Sequence, residues 1–245
     1  MLKQWLIDMG LLPSRFMWPN PFKIIEYEEL LRGVDVRPTD AILDLGCGAG
    51  PQDLLLAAEG ARVVGIDISD AQIARARALA ATYARGRHLE YRCTPLEHAG
   101  FARHEFDKVV SFSVLEHIAN REQVLGVMAD VLKPGGMLLM SVDSLATITD
   151  PSLIRRHRSD HAVLMYFTIL ELRSMLQLHG FADIRIRPIF RGPYAKRLFE
   201  AGIEGEFRYH RYWKFGALAR LKVDDYLHRD AEQGMFLCAT GLKSQ

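Results

Sequence analysis

Residues 41–51 read Ala-Ile-Leu-Asp-Leu-Gly-Cys-Gly-Ala-Gly-Pro, and this stretch decides the fold. Its first five residues form a short, mainly apolar run that predicts a buried strand. Glycines follow at positions 46, 48 and 50, where the chain must turn sharply and where a ligand can approach the backbone because no Cβ intervenes. The pattern predicts a nucleotide-like ligand at a β-α turn; the alternative is a tight turn that binds nothing.

Short runs rich in β-branched residues recur after this turn and alternate with helical patterns. We predict further strands at 62–67, 88–93, 108–113 and 137–142. One helix is predicted from the Ser69-Asp70 cap to Arg85, and another at 121–132, followed by a turn at 133–136, Lys-Pro-Gly-Gly. This alternation is typical of a parallel sheet covered by helices on both faces, so the fold class is α/β.

The last third of the chain predicts one more helix and two more strands. A helix capped by Thr168 runs to Gly180, and strands follow at 184–189 and 235–240. The long connection at 191–233 predicts a helical cap or lid, since connections of that length usually carry function. We therefore expect a single domain: a helical N-terminal extension (1–38), a core (39–190), the cap (191–233) and the last strand (234–245).

Two residues near the glycines indicate which ligand the turn binds. Pro51 begins the next helix and has no backbone N–H to offer, which a dinucleotide pyrophosphate would need. The spacing GxGxG also differs from the GxGxxG of NAD enzymes, so an NAD dehydrogenase is a distant alternative. Asp67 ends the next strand, where its carboxylate can accept hydrogen bonds from two ribose hydroxyls. The alternative role for Asp67, a helix cap, is already filled by Ser69 and Asp70.

Composition and charge exclude several classes of protein. The 31 Lys+Arg and 30 Asp+Glu give a net charge of +1, which does not favour nucleic acid and argues against DNA as a partner. Cys47, Cys93 and Cys238 form no CxxC pair, so no zinc site or disulfide framework is expected. The chain shows no signal-peptide pattern and no run of about 18 apolar residues, so we expect a cytoplasmic protein without membrane insertion.

Four motifs in order resemble those of class I S-adenosylmethionine (AdoMet)-dependent methyltransferases. They lie at 42–50 (Ile-Leu-Asp-Leu-Gly-Cys-Gly-Ala-Gly), 64–69 (Val-Gly-Ile-Asp-Ile-Ser), 113–117 (Ser-Val-Leu-Glu-His) and 132–136 (Leu-Lys-Pro-Gly-Gly). Each lies at the end or the start of a predicted strand. The resemblance is strong over residues 40–143 and implies a Rossmann-like, seven-stranded, mostly parallel sheet whose last strand is antiparallel.

The resemblance also implies which residues hold AdoMet and its product S-adenosylhomocysteine. The turn from Asp44 through Gly46, Cys47, Gly48 and Gly50 would hold the methionine end, and Asp67 the ribose. The remaining cofactor contacts implied are Ile68, Thr94, Pro95, Leu96, Ser111, Phe112, Ser113 and His117. Thr94 and Pro95 stand where such enzymes usually have an Asp-Ala pair, so Leu96 is the expected backbone donor to the adenine.

Methyl transfer from a sulfonium is an in-line displacement that depends mainly on positioning, and a base assists when the acceptor is a hydroxyl. The candidate bases are His117, His161 and His157, with His117 best placed after the fourth strand. A structural role for Glu116 and His117 is an equal alternative. The Leu-Glu-His run resembles that of ubiquinone-biosynthesis O-methyltransferases, in which a nearby Glu joins the pair to bind a divalent ion. Ser113 replaces that Glu here, so we expect no metal.

The sequence does not identify the methyl acceptor. Arginines are interleaved with aromatic residues in the second half, which favours an anionic or aromatic small molecule gripped by Arg. The alternative is that these side chains cover solvated helix faces. We expect methyl transfer to a small molecule at oxygen; the other functions left open are an RNA or protein methyltransferase and a non-catalytic AdoMet-binding module. The oligomeric state is not predicted.

Overall fold

The computed structural model describes Trp18, residues 20–205 and residues 213–244, with the side chains of 213–215 left out. About half of the predicted N-terminal extension (1–17 and Pro19) and the middle of the predicted cap (206–212) lie outside the described residues. None of the described helices has the length and apolar composition needed to cross a bilayer.

The described chain builds one seven-stranded sheet, as expected. The strands are β1 (Ala41–Leu45), β2 (Arg62–Asp67), β3 (Leu89–Cys93), β4 (Phe106–Phe112), β5 (Leu132–Asp143), β6 (Phe181–Ile189) and β7 (Phe236–Lys243). Their order is β3-β2-β1-β4-β5-β7-β6. The first five strands run parallel to one another, and β7 pairs antiparallel with both β5 and β6. The α/β fold class is therefore confirmed.

Helices cover both faces of the sheet. They are α1 (Pro21–Leu30), α2 (Pro51–Ala58), α3 (Asp70–Tyr83), α4 (Arg121–Val131), α5 (Pro151–Asp160), α6 (Ile169–Leu178), α7 (Pro193–Glu204) and α8 (Trp213–Leu227). Ser69 caps α3, and Thr168 forms a capping box with Glu171 at the start of α6. Helices α7 and α8 fall between β6 and β7, within the segment for which the sequence predicts a cap.

Alternate residues of the central strands face opposite sides of the sheet, and both sides are buried. Ile42 and Val110 pack into a cluster with α1, α2, α7 and α8, whereas Leu43 and Val109 pack with α4 and α6. Parallel sheets are normally buried on both faces in this way. The site-bearing ends of β1, β2 and β4 therefore rest on a rigid core.

One predicted turn is wrong in its details. Strand β5 begins at Leu132, directly after α4, because Leu132 pairs with Phe106 before the register shifts between Phe106 and Lys108. Gly135, at φ +74°, lies inside the strand at this irregularity. Pro-Gly-Gly here makes a bulge in a strand, where the sequence predicted a separate turn.

Candidate cofactor and acceptor site

The glycine turn after β1 needs glycine for two different reasons. Gly46, Gly48 and Gly50 all have positive φ, at +72°, +53° and +77°. A Cβ on Gly46 would lie 2.3 Å from Val114 Cγ2, and one on Gly50 would lie 2.2 Å from the Tyr91 hydroxyl oxygen. A Cβ on Gly48 would meet nothing within 4 Å. The turn is thus packed from below at its two ends and open at its centre.

Asp67 ties the end of β2 to this turn. Its Oδ2 accepts a hydrogen bond from the Gly48 amide at 3.0 Å, and its Oδ1 accepts one from the Ser69 amide at 2.8 Å. Each carboxylate oxygen keeps a further lone pair. Asp67 therefore orders two loops and can still accept from a ligand, so it combines the predicted ligand-facing position with a capping contact near the start of α3.

A buried acid pair lies beneath the turn. Gln52 Nε2 donates to Asp44 Oδ2 at 2.7 Å and to the Cys47 carbonyl at 2.9 Å, so Asp44 is fixed against the glycine loop. Burial raises the pKa of Asp44 to about 7, and burial together with the Asp44 charge raises the pKa of Asp53 well above its usual range. The pair therefore keeps a proton to higher pH than free aspartic acid side chains do.

A cavity of about 470 Å³ opens above the carboxyl ends of β1, β2 and β4. Ile68, at its edge, leaves 78% of its surface exposed, which is unusual for so large an apolar side chain. Nine of the predicted cofactor residues line the cavity: Gly46, Asp67, Ile68, Thr94, Pro95, Leu96, Phe112, Ser113 and His117. The other five, Asp44, Cys47, Gly48, Gly50 and Ser111, do not line it, and Asp44, Cys47 and Ser111 are buried beneath it.

A second cavity, of about 350 Å³, adjoins the first. It brings together the three histidines predicted as candidate bases, His117, His157 and His161. His117 and Ser113 line both cavities. The ring centroids of His157 and His161 are 4.7 Å apart. We call the first the cofactor cavity and the second the histidine cavity.

The histidines are held as neutral rings. Burial lowers the pKa of all three, with His157 falling to about 4. His117 Nδ1 lies 3.4 Å from the Ala162 carbonyl oxygen, which can only accept, so Nδ1 carries the proton and Nε2 is left with its lone pair. His157 Nδ1 lies 3.0 Å from the Tyr166 hydroxyl.

The sequence did not predict several polar groups at the histidine cavity. Asn20 and Lys23 from α1 and Asp143 from the end of β5 line it, and buried Glu116 meets Asp143 through a hydrogen bond of 3.2 Å from the Asp143 amide to Oε1. Burial raises the pKa of Asp143 to about 7 and that of Glu116 well above its usual range. The position of Asp143 at the carboxyl end of a parallel strand was a usable signal, because ligands of such sheets bind there.

The arginines in the second half of the chain lie away from the histidine cavity. No described arginine lines the histidine cavity, whose cation is Lys23. Arg191 pairs with Asp225 at 3.1 Å, Arg187 donates to the Glu29 carbonyl at 2.7 Å, and Arg158 lies over the ring of Tyr166. For these residues the structure favours the alternative of structural and surface roles. An acceptor gripped by Arg is not supported within the described part of the chain.

A methyltransferase family model matches the central part of the chain. Residues 43–140 match the family model described as a methyltransferase domain. The matched segment holds the glycine turn, Asp67, the strand ends of the cofactor cavity and His117. Over this segment the chain is similar to a methyltransferase domain. All of the cofactor-cavity residues predicted from sequence lie within the matched segment, whereas Lys23, His157 and His161 lie outside it.

The ubiquinone biosynthesis O-methyltransferase of Bradyrhizobium sp. (strain ORS 278) is 40% identical over 102 residues, covering 41% of this chain and 38% of that protein. The match thus spans less than half the length of this curated relative. Among solved structures, phosphoethanolamine N-methyltransferase 2 of Haemonchus contortus, in complex with S-adenosyl-L-methionine, aligns at a TM-score of 0.64 and 21% identity, covering 92% of this chain and 57% of that one.

The fold is shared more widely than any one reaction. The [4+2]-cyclase SpnF aligns at a TM-score of 0.64 and 18% identity over 89% of this chain and 79% of its own. At such identities the likeness concerns the methyltransferase-type fold alone. The reaction must therefore be argued from the two cavities.

Proposed function

We propose that the chain binds AdoMet in the cofactor cavity and transfers its methyl group to an oxygen of a small molecule in the histidine cavity. The observation that carries the proposal is that Ser113 and His117 line both cavities, so two bound ligands would meet there. A transfer by in-line displacement needs this arrangement, because donor and acceptor must be held end to end.

The residues of the cofactor cavity fit AdoMet. Asp67 offers a carboxylate to the ribose hydroxyls, and exposed Ile68 offers an apolar surface to the flat adenine. The open centre of the turn at Gly48 leaves room for the methionine end. When bound, AdoMet supplies an electrophilic methyl group on a sulfonium. Phosphate-binding features are not required, which is consistent with Pro51 at the start of α2.

The histidine cavity supplies a route for the proton of a hydroxyl acceptor. His117 lines both cavities, and the contact of Nδ1 with the Ala162 carbonyl leaves Nε2 as the proton-accepting atom, so His117 is the proposed base. His157 and His161 complete the wall, and Asp143 lies beside them, with Oδ2 at 3.9 Å from His157 Nε2. Phe199 and Phe236 add apolar surface. A volume of about 350 Å³ suits a small molecule better than a polymer segment.

The proposal is tested in two steps. Calorimetry with S-adenosylhomocysteine should show one site per chain. Methyl-labelled AdoMet should then transfer label to one or more hydroxylated small metabolites. His117→Gln should lower the transfer rate, whereas His179→Gln should not, because His179 pairs with Glu122 at 3.3 Å and lines neither cavity.

Each other outcome changes the proposal. If S-adenosylhomocysteine does not bind, the assignment of the cofactor cavity is wrong. Salt-sensitive label transfer to RNA would show that the methyl acceptor is RNA and not a small molecule. Binding with no transfer to small molecules, RNA or protein would make the chain a non-catalytic AdoMet-binding module.

A further inference from the structure

Glu26 is a buried carboxylate outside the segment that matches the methyltransferase family model. It lies in the middle of α1 and has no exposed surface. Its Oε1 accepts hydrogen bonds from Ser113 Oγ at 2.8 Å and from Ser141 Oγ at 2.5 Å, and its Oε2 lies 2.8 Å from Lys23 Nζ. Although burial lowers it, the neighbouring Glu26 charge raises the pKa of Lys23 above its usual value. A buried acid is stable only when it is paired and hydrogen-bonded in this way.

One partner of Glu26 has a strained backbone. Ser113 has a φ of +51°, in the left-handed region that disfavours residues with a Cβ. Its amide donates to the Ser141 carbonyl and to Ser141 Oγ, both at 3.1 Å. Glu26, Ser113 and Ser141 therefore form a closed hydrogen-bonded triangle. Such strain persists only where the surroundings over-determine the conformation.

Ser113 is also the residue that lines both cavities, so its backbone shapes their junction. The same helix reaches one cavity directly and the other through a neighbouring ring. Lys23 lines the histidine cavity, and the Tyr27 ring stacks at 6.0 Å on Phe112, which lines the cofactor cavity. Helix α1 thus lines the histidine cavity and supports the cofactor cavity from behind Phe112, and Glu26 is its hydrogen-bonded link to the strand ends.

We propose that Glu26 is a positioning residue that holds Ser113 in its left-handed conformation at the junction, so that docking of α1 sets the affinity of the cofactor cavity. The inference rests on the proposed function, since it takes AdoMet or its product as the ligand. Without the carboxylate, two buried hydroxyl donors and the Lys23 ammonium lose their acceptor. Ser113 then keeps its amide hydrogen bonds to Ser141 but loses the side-chain anchor that opposes its return to ordinary backbone conformations.

The experiment is a mutant cycle read by calorimetry with S-adenosylhomocysteine. Glu26→Ala should weaken binding at least tenfold. Glu26→Gln should stay within threefold of the unmodified chain, because its amide oxygen can still accept from both serines. Ser113→Gly adopts positive φ without a side-chain anchor, so in that background Glu26→Ala should cost less than threefold. Glu28→Gln, which breaks the ion pair of α1 with Lys222, is the matched control and should change the affinity less than twofold.

Three results would overturn the inference. The first is an affinity of Glu26→Ala within twofold of that of the unmodified chain, and the second is an affinity of Glu26→Gln as low as that of Glu26→Ala. The third is a loss of affinity on Glu26→Ala that is just as large in the Ser113→Gly background. If Glu26→Ala does not fold, Ser141→Ala removes one corner of the triangle and should weaken binding at least threefold; no change would equally overturn it. If the unmodified chain does not bind S-adenosylhomocysteine, the proposed function fails and this inference with it. If it binds and the cycle fails, only the inference is wrong.

Discussion

The Asp67 carboxylate accepts a hydrogen bond from the Gly48 amide at 3.0 Å, so the end of β2 holds the glycine turn that follows β1. The residue predicted to bind the ribose is therefore also a part of the turn that it faces. Removing this side chain should affect the cofactor cavity twice, through a lost ligand contact and through a looser turn.

We predict that Asp67→Ala weakens S-adenosylhomocysteine binding about 10- to 100-fold, since a hydrogen bond to a charged group contributes about 1.5–3 kcal/mol. The affinity of Asp67→Asn should lie between those of the unmodified chain and Asp67→Ala, because its amide keeps one acceptor oxygen. Isothermal titration calorimetry measures both. Asp70→Ala removes an acid three positions along that does not line the cavity, and serves as the control. Unchanged affinity in Asp67→Ala would falsify the ribose assignment.

Ile68 and Leu178 make a matched pair, because each leaves 78% of its surface exposed and only Ile68 borders the cofactor cavity. Ile68→Thr should weaken S-adenosylhomocysteine binding about three- to tenfold, as expected for the loss of about 1 kcal/mol of apolar contact with the adenine. Leu178→Thr should leave the affinity unchanged. Equal affinities for the two variants in the same titration would argue that the adenine lies elsewhere.

The sequence alone predicts the elements that neighbouring residues determine, and it misses those that depend on contacts between distant residues. The bounds of β1 and β2 follow from local signals, since each is a short apolar run closed by glycine or by Asp67. The start of β5 does not follow from local signals, because Pro-Gly-Gly locally favours a turn. Only the pairing of Leu132 with Phe106 makes this segment part of a strand.

The residues of the candidate site also fall into a group that the sequence predicts and a group that it does not. Cofactor-cavity residues adjoin the motifs, so their positions could be predicted. Glu26 resembles its half-buried neighbours Glu28 and Glu29 in sequence, and its hydrogen-bond partners Ser113 and Ser141 lie 87 and 115 residues away along the chain. Lys23 is likewise brought to the histidine cavity by tertiary contacts that no local pattern records, whereas Asp143 could have been predicted from its place at the end of β5.

The glycines of the turn should differ in what they tolerate. Gly50→Ala places a methyl 2.2 Å from the Tyr91 hydroxyl oxygen at φ +77°, so both clash and strain oppose it. Gly48→Ala meets open space and costs only the strain of positive φ, about 1 kcal/mol. Thermal unfolding should therefore show a clearly larger loss of Tm for Gly50→Ala, and about 2–4 °C for Gly48→Ala. Equal losses would contradict the packing described at Gly50.

The acid pair beneath the turn predicts a stability that depends on pH. Its raised pKa values mean that the folded chain keeps a proton which the unfolded chain releases above about pH 4. This pair therefore stabilises the fold at acid pH, and its contribution is lost as pH rises toward about 7. Asp53→Asn replaces one of the two buried ionisable groups with a neutral amide, so it should raise Tm at pH 8 by a few degrees, on the order of 1 kcal/mol.

The control for Asp53→Asn is the same comparison at pH 5, where the gain should shrink because the unmodified pair already holds its proton. Differential scanning calorimetry at the two pH values gives both numbers. A variant that is destabilised equally at pH 5 and pH 8 would show that Asp53 acts through packing alone.

The proposed base predicts the acid side of the pH-rate profile. His117 accepts a proton only as a neutral ring, so the rate falls as pH drops through its pKa. Because burial lowers that pKa, the midpoint should lie below the usual histidine value of about 6.5. Initial rates of label transfer from saturating AdoMet, between pH 5 and 8, locate it. His117→Gln should lower the plateau about 10²- to 10⁴-fold and remove this limb. A midpoint near 7 that persists in His117→Gln would instead assign the proton to Asp143, whose pKa burial raises to about 7 and which lines the same cavity.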